Sequence, residues 1–168
     1  MMKNTWFTAD THFDHEGIFE HIPERVTAFH DVLEMGTAFV DGINAYVKRG
    51  DRLIHLGDFC WRAHRAGHWR QRLNVRELWV CQGNHDASSL RRHVSRMELM
   101  IFFQNLHLSH YPLACWHKKY TGGLHLHGHS HGRMQTIPGR LDVGIDPIFR
   151  LTGEWRPIHL DEVLEQCR

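Results

Sequence analysis

Seven short apolar runs mark the chain as sheet-forming, and five of them stop at a side chain able to bind a metal ion. The runs are TWFTA (5–9), RLIHL (52–56), ELWVCQ (77–82), LMIFF (99–103), LHLS (106–109), LHLH (124–127) and LDVGI (141–145). Asp10 and His12 follow the first; Asp58 follows the second; Asn84, His85 and Asp86 follow the third. His110 follows LHLS, and His129 and His131 follow LHLH. Polar side chains gathered at strand ends are where open α/β sheets place their sites. Residues two apart in an extended segment point to the same side, so Asp10 with His12, and His129 with His131, can face one point in space. Gly57, Gly83 and Gly128 precede these clusters, where the missing Cβ lets backbone turn sharply and approach closely.

Between the first two runs, Phe29, Val32, Leu33, Gly36, Phe39, Val40, Ile43 and Val47 recur at helical spacing, predicting one long amphipathic helix that ends near Gly50. Shorter helices are expected over 61–73 and 87–94, and a C-terminal one at LDEVLEQC. Alternating strands and helices give an α/β class. The 168 residues suit one domain, 1–168, with no linker or internal repeat dividing them.

A hydrophobic fraction of 42% and a charged fraction of 23% are those of a globular chain, which excludes disordered and collagen-like classes. Net charge is +1, so bulk charge announces neither a nucleic-acid nor a membrane partner. The N-terminal MMKNTWFTADTHFD carries no leader-like apolar stretch and no run is long enough to cross a membrane, so a cytoplasmic location is expected. Cys60, Cys81, Cys115 and Cys167 are scattered without a CxxC pair, as fits reduced thiols, with Cys60 and Cys81 read as small buried hydrophobes. The outlier is histidine, at 17 residues, four of them within HLHGHSHG (125–132). Alone, that segment reads equally as a histidine-rich loop that scavenges metal.

Taken together, DTH at 10–12, GD at 57–58, GNHD at 83–86, the histidine of LSHYP at 110 and GHSH at 128–131 resemble the calcineurin-like metallophosphoesterases, in that family's order and over most of the chain. The resemblance implies a four-layer αββα fold, two packed mixed sheets flanked by helices. It implies a dinuclear centre in which Asp10, His12 and His131 hold one ion, Asn84, His110 and His129 hold the other, and Asp58 bridges both. Such donors suit Mn²⁺ above all, with Fe, Zn²⁺ or Ni²⁺ as alternatives. It further implies hydrolysis of phosphodiesters, with phosphomonoesters secondary, by attack of a metal-bridging hydroxide. His85 is then the group facing the departing oxygen, and Asp86 the residue that orients it. On this reading His125 and His127 belong to the incoming strand and do not bind metal; His55 and His107 are packed strand residues.

His15, three past His12, and Arg62, where larger protein phosphatases of the superfamily carry an arginine, are candidate substrate contacts. GDFCWR lacks the second aspartate of the protein-phosphatase pattern, so the small single-domain bacterial and phage-type phosphoesterases are the nearer resemblance. Arg62, Arg65, Arg70, Arg72 and Arg76 interleave with Trp61 and Trp69, and Arg91, Arg92 and Arg96 follow GNHD. These allow a nucleic-acid substrate, set against a solvated helix face with tryptophans turned to the core. The competing functions are a catalytically silent interaction scaffold on the same fold and a nuclease. Oligomeric state is left open.

Overall fold

The computed structural model describes residues 4–167, so the first three residues of the N-terminal stretch lie outside it. Two mixed sheets, flanked by helices, carry the architecture. The first has the order β4-β3-β2-β1-β9, from β1 (Thr5–Thr8), β2 (Arg52–His55), β3 (Glu77–Cys81), β4 (Arg96–Glu98) and β9 (Ile158–His159). It is parallel apart from β9, which pairs antiparallel with β1. The second has the order β5-β6-β7-β8, from β5 (Met100–Phe103), β6 (Leu106–Ser109), β7 (Leu124–His127) and β8 (Arg140–Asp142), with only β5 antiparallel.

Side-chain alternation along the strands divides the core. Phe7, Ile54 and Cys81 face Ile101, Leu108 and Leu126 of the other sheet, filling the space between the two. Leu53, Leu78 and Val80 point the opposite way, under the helices α2 (Val32–Tyr46) and α3 (Ala66–Arg72). The face of the second sheet that carries His107 and His125 is closed by segment 110–123. There the Leu113 amide donates to Nε2 of His125 at 2.9 Å, and Trp116 packs 5.4 Å from that ring. The His125 Nδ1 lies 2.8 Å from the His107 carbonyl oxygen, so both its nitrogens are taken and neither is free for a metal.

Helix boundaries follow their caps. Asp31 accepts from the amides of Leu33 and Glu34, at 2.8 Å each, and so starts α2 at Val32. Phe29, expected inside that helix, instead ends α1 (Pro23–Ala28) in an extended conformation and packs against Phe39 and Trp155. The run LDVGI also divides: β8 ends at Asp142, and α4 (Ile145–Thr152) begins after Gly144. A last helix, α5 (Leu160–Gln166), is closed by a capping box between His159 and Glu162. The stretches 61–73 and 87–94 are part 3-10 helix, at Ala63–Arg65 and Ser88–His93. Cys60, Cys81, Cys115 and Cys167 are free, and burial pushes the Cys60 and Cys81 thiols up to about 12. Among the described residues no helix is long and apolar enough to cross a membrane.

Gly36 lets α2 lie directly on Trp69, whose ring is fully buried; a Cβ at this position would sit 2.4 Å from the indole. Gly36→Ala gains roughly 1 kcal/mol of helix propensity. Overpacking a rigid indole costs about 1–3 kcal/mol. The expected net result is a less stable protein, read as a lower urea midpoint; a raised midpoint would contradict this packing.

Candidate metal centre

Because β1, β2 and β3 are adjacent and parallel, and β6 and β7 likewise, the loops leaving their C-terminal ends converge on one point between the sheets. Backbone hydrogen bonds lace those loops together: the Asp10 amide donates to Gly57 O at 2.9 Å, His12 to Asp58 O at 3.0 Å, and Gly128 to His110 O at 3.0 Å. The fold thereby brings together all seven expected ligand residues. Donor atoms of Asp10, His12 and His131 lie within 4.8 Å of one another, as do those of Asp58, His110 and His129. Asn84 joins the second group through Oδ1, 3.0 Å from Nε2 of His110. Oδ2 of Asp58 adjoins both groups, 3.5 Å from Nε2 of His12 and 3.4 Å from Nε2 of His110.

Five of the seven residues have left-handed backbone: Asp10 (φ 58°), His12 (48°), Asp58 (55°), His129 (66°) and His131 (49°). That conformation turns consecutive ligands inward from a strand end, and Asp, Asn and His tolerate it better than most non-glycine residues. Gly57 (φ 97°) and Gly83 make room, since a Cβ on Gly83 would lie 2.2 Å from an Asp58 carboxylate oxygen.

Outer hydrogen bonds decide which imidazole nitrogen is free. His131 donates Nδ1–H to Asp146 at 2.7 Å, and His110 donates Nδ1–H to the Leu56 carbonyl at 2.8 Å, so Nε2 in each is the nitrogen an ion would take, in exchange for any proton held there. The Nε2 of His12 is buried with no hydrogen-bond partner. Burial, with the charge of Arg25, holds His12 well below the usual histidine range, so it is neutral and available as a ligand. Burial opposes charge on His110, but the Asp58 carboxylate beside it and the charge of Asp10 outweigh this and raise it to about 9. Burial also works against the Asp58 carboxylate, yet His110 and His12 hold it well below the ordinary carboxylate range. An orphaned imidazole nitrogen among oxygen and nitrogen donors, with no thiolate, fits divalent metal ions.

Arg25 and Asp146 brace this centre from below. Both are buried, paired by two hydrogen bonds (Nε to Oδ1 at 2.7 Å and Nη2 to Oδ2 at 2.9 Å). Arg25 also donates to the Asp10 carbonyl at 2.6 Å, and Asp146 orients His131, so the pair ties α1 and α4 to the Asp10, His12 and His131 group.

His85 lies outside both groups of donor atoms. Its amide donates to Asp58 Oδ1 at 2.9 Å, and its ring stands in the cleft with Nε2 4.0 Å from Asp58 Oδ2. Asp86 was expected to orient that ring. Its two oxygens instead accept from the amides of Asp58 (2.8 Å), Phe59 (2.8 Å) and Gly83 (2.9 Å), so it grips the backbone beneath Asp58. His15 stands beside the centre, its Nδ1 3.2 Å from that of His12. Arg62 does not line the cleft: it pairs with Glu16 at 3.2 Å and borders a neighbouring hollow with Asp14, His64 and Arg65.

The other arginines of that stretch are largely structural. Arg65 pairs with Asp14, Arg70 donates to the carbonyls of Leu73, Val75 and Arg76, and Arg72 packs over Trp69. Arg133 and His21 do line the cleft and carried no expectation, although Arg133 falls two residues past His131. His55 and His127 are buried; the former meets Thr11 Oγ1 at 3.0 Å and the latter the Gly128 carbonyl at 2.8 Å.

No family model matches the chain, and no curated protein matches it. Among solved structures, AQ665 from Aquifex aeolicus, a protein of unknown function, is similar with a TM-score of 0.70 at 21% identity, covering 98% of this chain and 100% of that one. A likeness at that identity shows a shared fold and nothing of activity. Pseudomonas putida nuclease MPE matches at a TM-score of 0.49 and 19% identity, over 76% of this chain and 61% of its own.

Burial raises the Asp10 carboxyl from 3.8 to about 7 in the metal-free protein. Between those values the native state holds a proton that the unfolded chain has lost, so stability falls as pH rises through the window. Metal-free Asp10→Asn is therefore expected to be more stable than metal-free wild type at pH 8, with the gap closing towards pH 5. Urea unfolding in chelator at the two pH values reads this, and a gap independent of pH would refute it.

Proposed function

We propose that this protein is a metal-dependent phosphoesterase: a single-domain, compact form of the four-layer calcineurin-like metallophosphoesterases that hydrolyses phosphodiesters, with phosphomonoesters secondary. The observation that carries the reading is Asp58, one of whose carboxylate oxygens adjoins His12 at 3.5 Å and His110 at 3.4 Å, one imidazole from each donor group. A carboxylate so placed suits a shared ligand between two ions, for which Mn²⁺ is the candidate we favour. Two divalent ions, when bound, supply positive charge to the phosphoryl oxygens and activate water for attack.

The chain's own residues do the rest. His131 and His110, each fixed in one tautomer by Asp146 and the Leu56 carbonyl, present Nε2 without rearrangement. Asn84 offers a neutral oxygen donor, so it adds no negative charge opposite an anionic substrate. His85, in the cleft wall and free of both donor groups, is placed to hand a proton to the departing oxygen. Its amide, held on Asp58, keeps that ring in register with the centre.

The direct test is hydrolysis of bis(4-nitrophenyl) phosphate by Mn²⁺-loaded protein. Chelation is expected to abolish turnover, and Asp58→Asn to lower it by roughly two orders of magnitude or more. Turnover indifferent to chelator sinks the proposal. His85→Ala is expected to keep its full metal content while kcat falls about 10²-fold, the usual worth of a general acid. If this variant loses metal in proportion to activity, His85 is a ligand and the assignment fails.

A further inference from the structure

The two tryptophans that follow Asp58 have opposite fates. Trp69 is wholly buried, its indole N–H donating to Asp14 at 2.7 Å. Trp61 remains 46% exposed and lines the cleft of about 350 Å³ that His12, Asp58, Asn84, His129 and His131 also border. It is not loosely attached. Its amide donates to Phe13 O at 2.9 Å, and its ring lies parallel to that of His15, with centroids 3.9 Å apart and planes 2° off. Beyond His15 the rings continue inward, to His12 at 5.2 Å and from His12 to His131 at 5.3 Å. Trp61 is thus the outer, half-exposed member of a chain of neighbouring rings that reaches the metal centre, parallel to His15 and tilted from there inward.

Two further features say what fits there. The His85 ring is 4.7 Å from Trp61, so a group lying on the indole belongs to the departing side of the ester. Arg133 also lines the cleft, a cationic side chain suited to an anionic chain. An anionic phosphodiester whose departing alcohol carries a flat aromatic ring is a nucleotide unit. A base within a duplex is already stacked on its neighbours and cannot reach a side-chain platform, whereas a base in a single strand can.

We propose that Trp61 is a base-stacking platform and that the site takes single-stranded nucleic acid, the base on the departing side of the scissile diester lying on Trp61. The inference rests on the phosphoesterase reading for its chemistry but not for its binding. Two single-stranded oligothymidylates serve as probes, one intact and one with abasic residues in place of nucleosides. Each carries a fluorescent label at one end and is followed by anisotropy in chelator and by cleavage with Mn²⁺. Base stacking on an aromatic side chain predicts that wild type favours the intact strand by roughly 10-fold in both readouts. In Trp61→Leu that preference falls to near one, and in Trp61→Phe most of it returns, with unfolding midpoints close to wild type in both because the ring is half exposed.

An undiminished preference in Trp61→Leu overturns the platform, as does equal binding of a fully paired duplex. Base-dependent binding without cleavage of any diester supports the platform and sinks the phosphoesterase reading. Cleavage of the nitrophenyl diester with no discrimination between intact and abasic strands does the reverse.

Discussion

Everything at this centre is arranged about one carboxylate. Asp58 has to be buried, ionised and within reach of imidazoles from two loops, and burial alone would protonate it. The fold answers in two ways. His110 and His12 stand close enough to favour the charge, and the His85 amide donates to the other oxygen. Beneath, Asp86 gathers the amides of Asp58, Phe59 and Gly83, so the loops after β2 and β3 are locked to each other by a second carboxylate that never needs to enter the cleft. The GD and GNHD segments are one hydrogen-bonded unit, although 24 residues of chain lie between Asp58 and Gly83.

The second support comes from outside the sheets. The Arg25–Asp146 pair is fully desolvated, and a buried pair is costly to break singly because the remaining charge is left without a partner. Its extra bonds offset that burial: Arg25 donates to the carbonyls of Asp10 and Thr11, and Asp146 accepts from His131. α1, whose buried residue is Arg25, and α4, which also buries Ile145 and Ile148, are held to the centre by the same contacts that aim the candidate ligands.

The sequence revealed the centre better than its supports. Asp10 with His12 and His129 with His131 were legible as pairs two apart at strand ends, and Gly57, Gly83 and Gly128 marked the turns before Asp58, Asn84 and His129, whereas the full set with His110 rested on the family resemblance; the structure draws all seven together. Strands longer than three residues were legible as apolar runs. β4 and β9 were not, since RME and IH are too short and too polar to show alternation. α1 and α4 each carry a proline in the first turn, a signal for a helix start, but at six and eight residues neither displays a full apolar stripe. Arg25 and Asp146 were missed because a charged residue on a short helix resembles a solvent-facing one until its partner, 121 positions away, is known. Arg62 misled for the opposite reason: proximity in sequence to Asp58 does not place it in the cleft, and Glu16 draws it away.

The left-handed turns at Asp10, His12, Asp58, His129 and His131 filter what these positions can become. Valine, isoleucine and threonine are excluded there by backbone sterics before any question of coordination arises. Asparagine, which shares the tolerance of aspartate for this region, changes the charge and leaves the chain path alone. Variation at this centre is thus channelled towards amide-for-carboxylate exchanges, with asparagine and glycine the replacements that can stand where the turns persist.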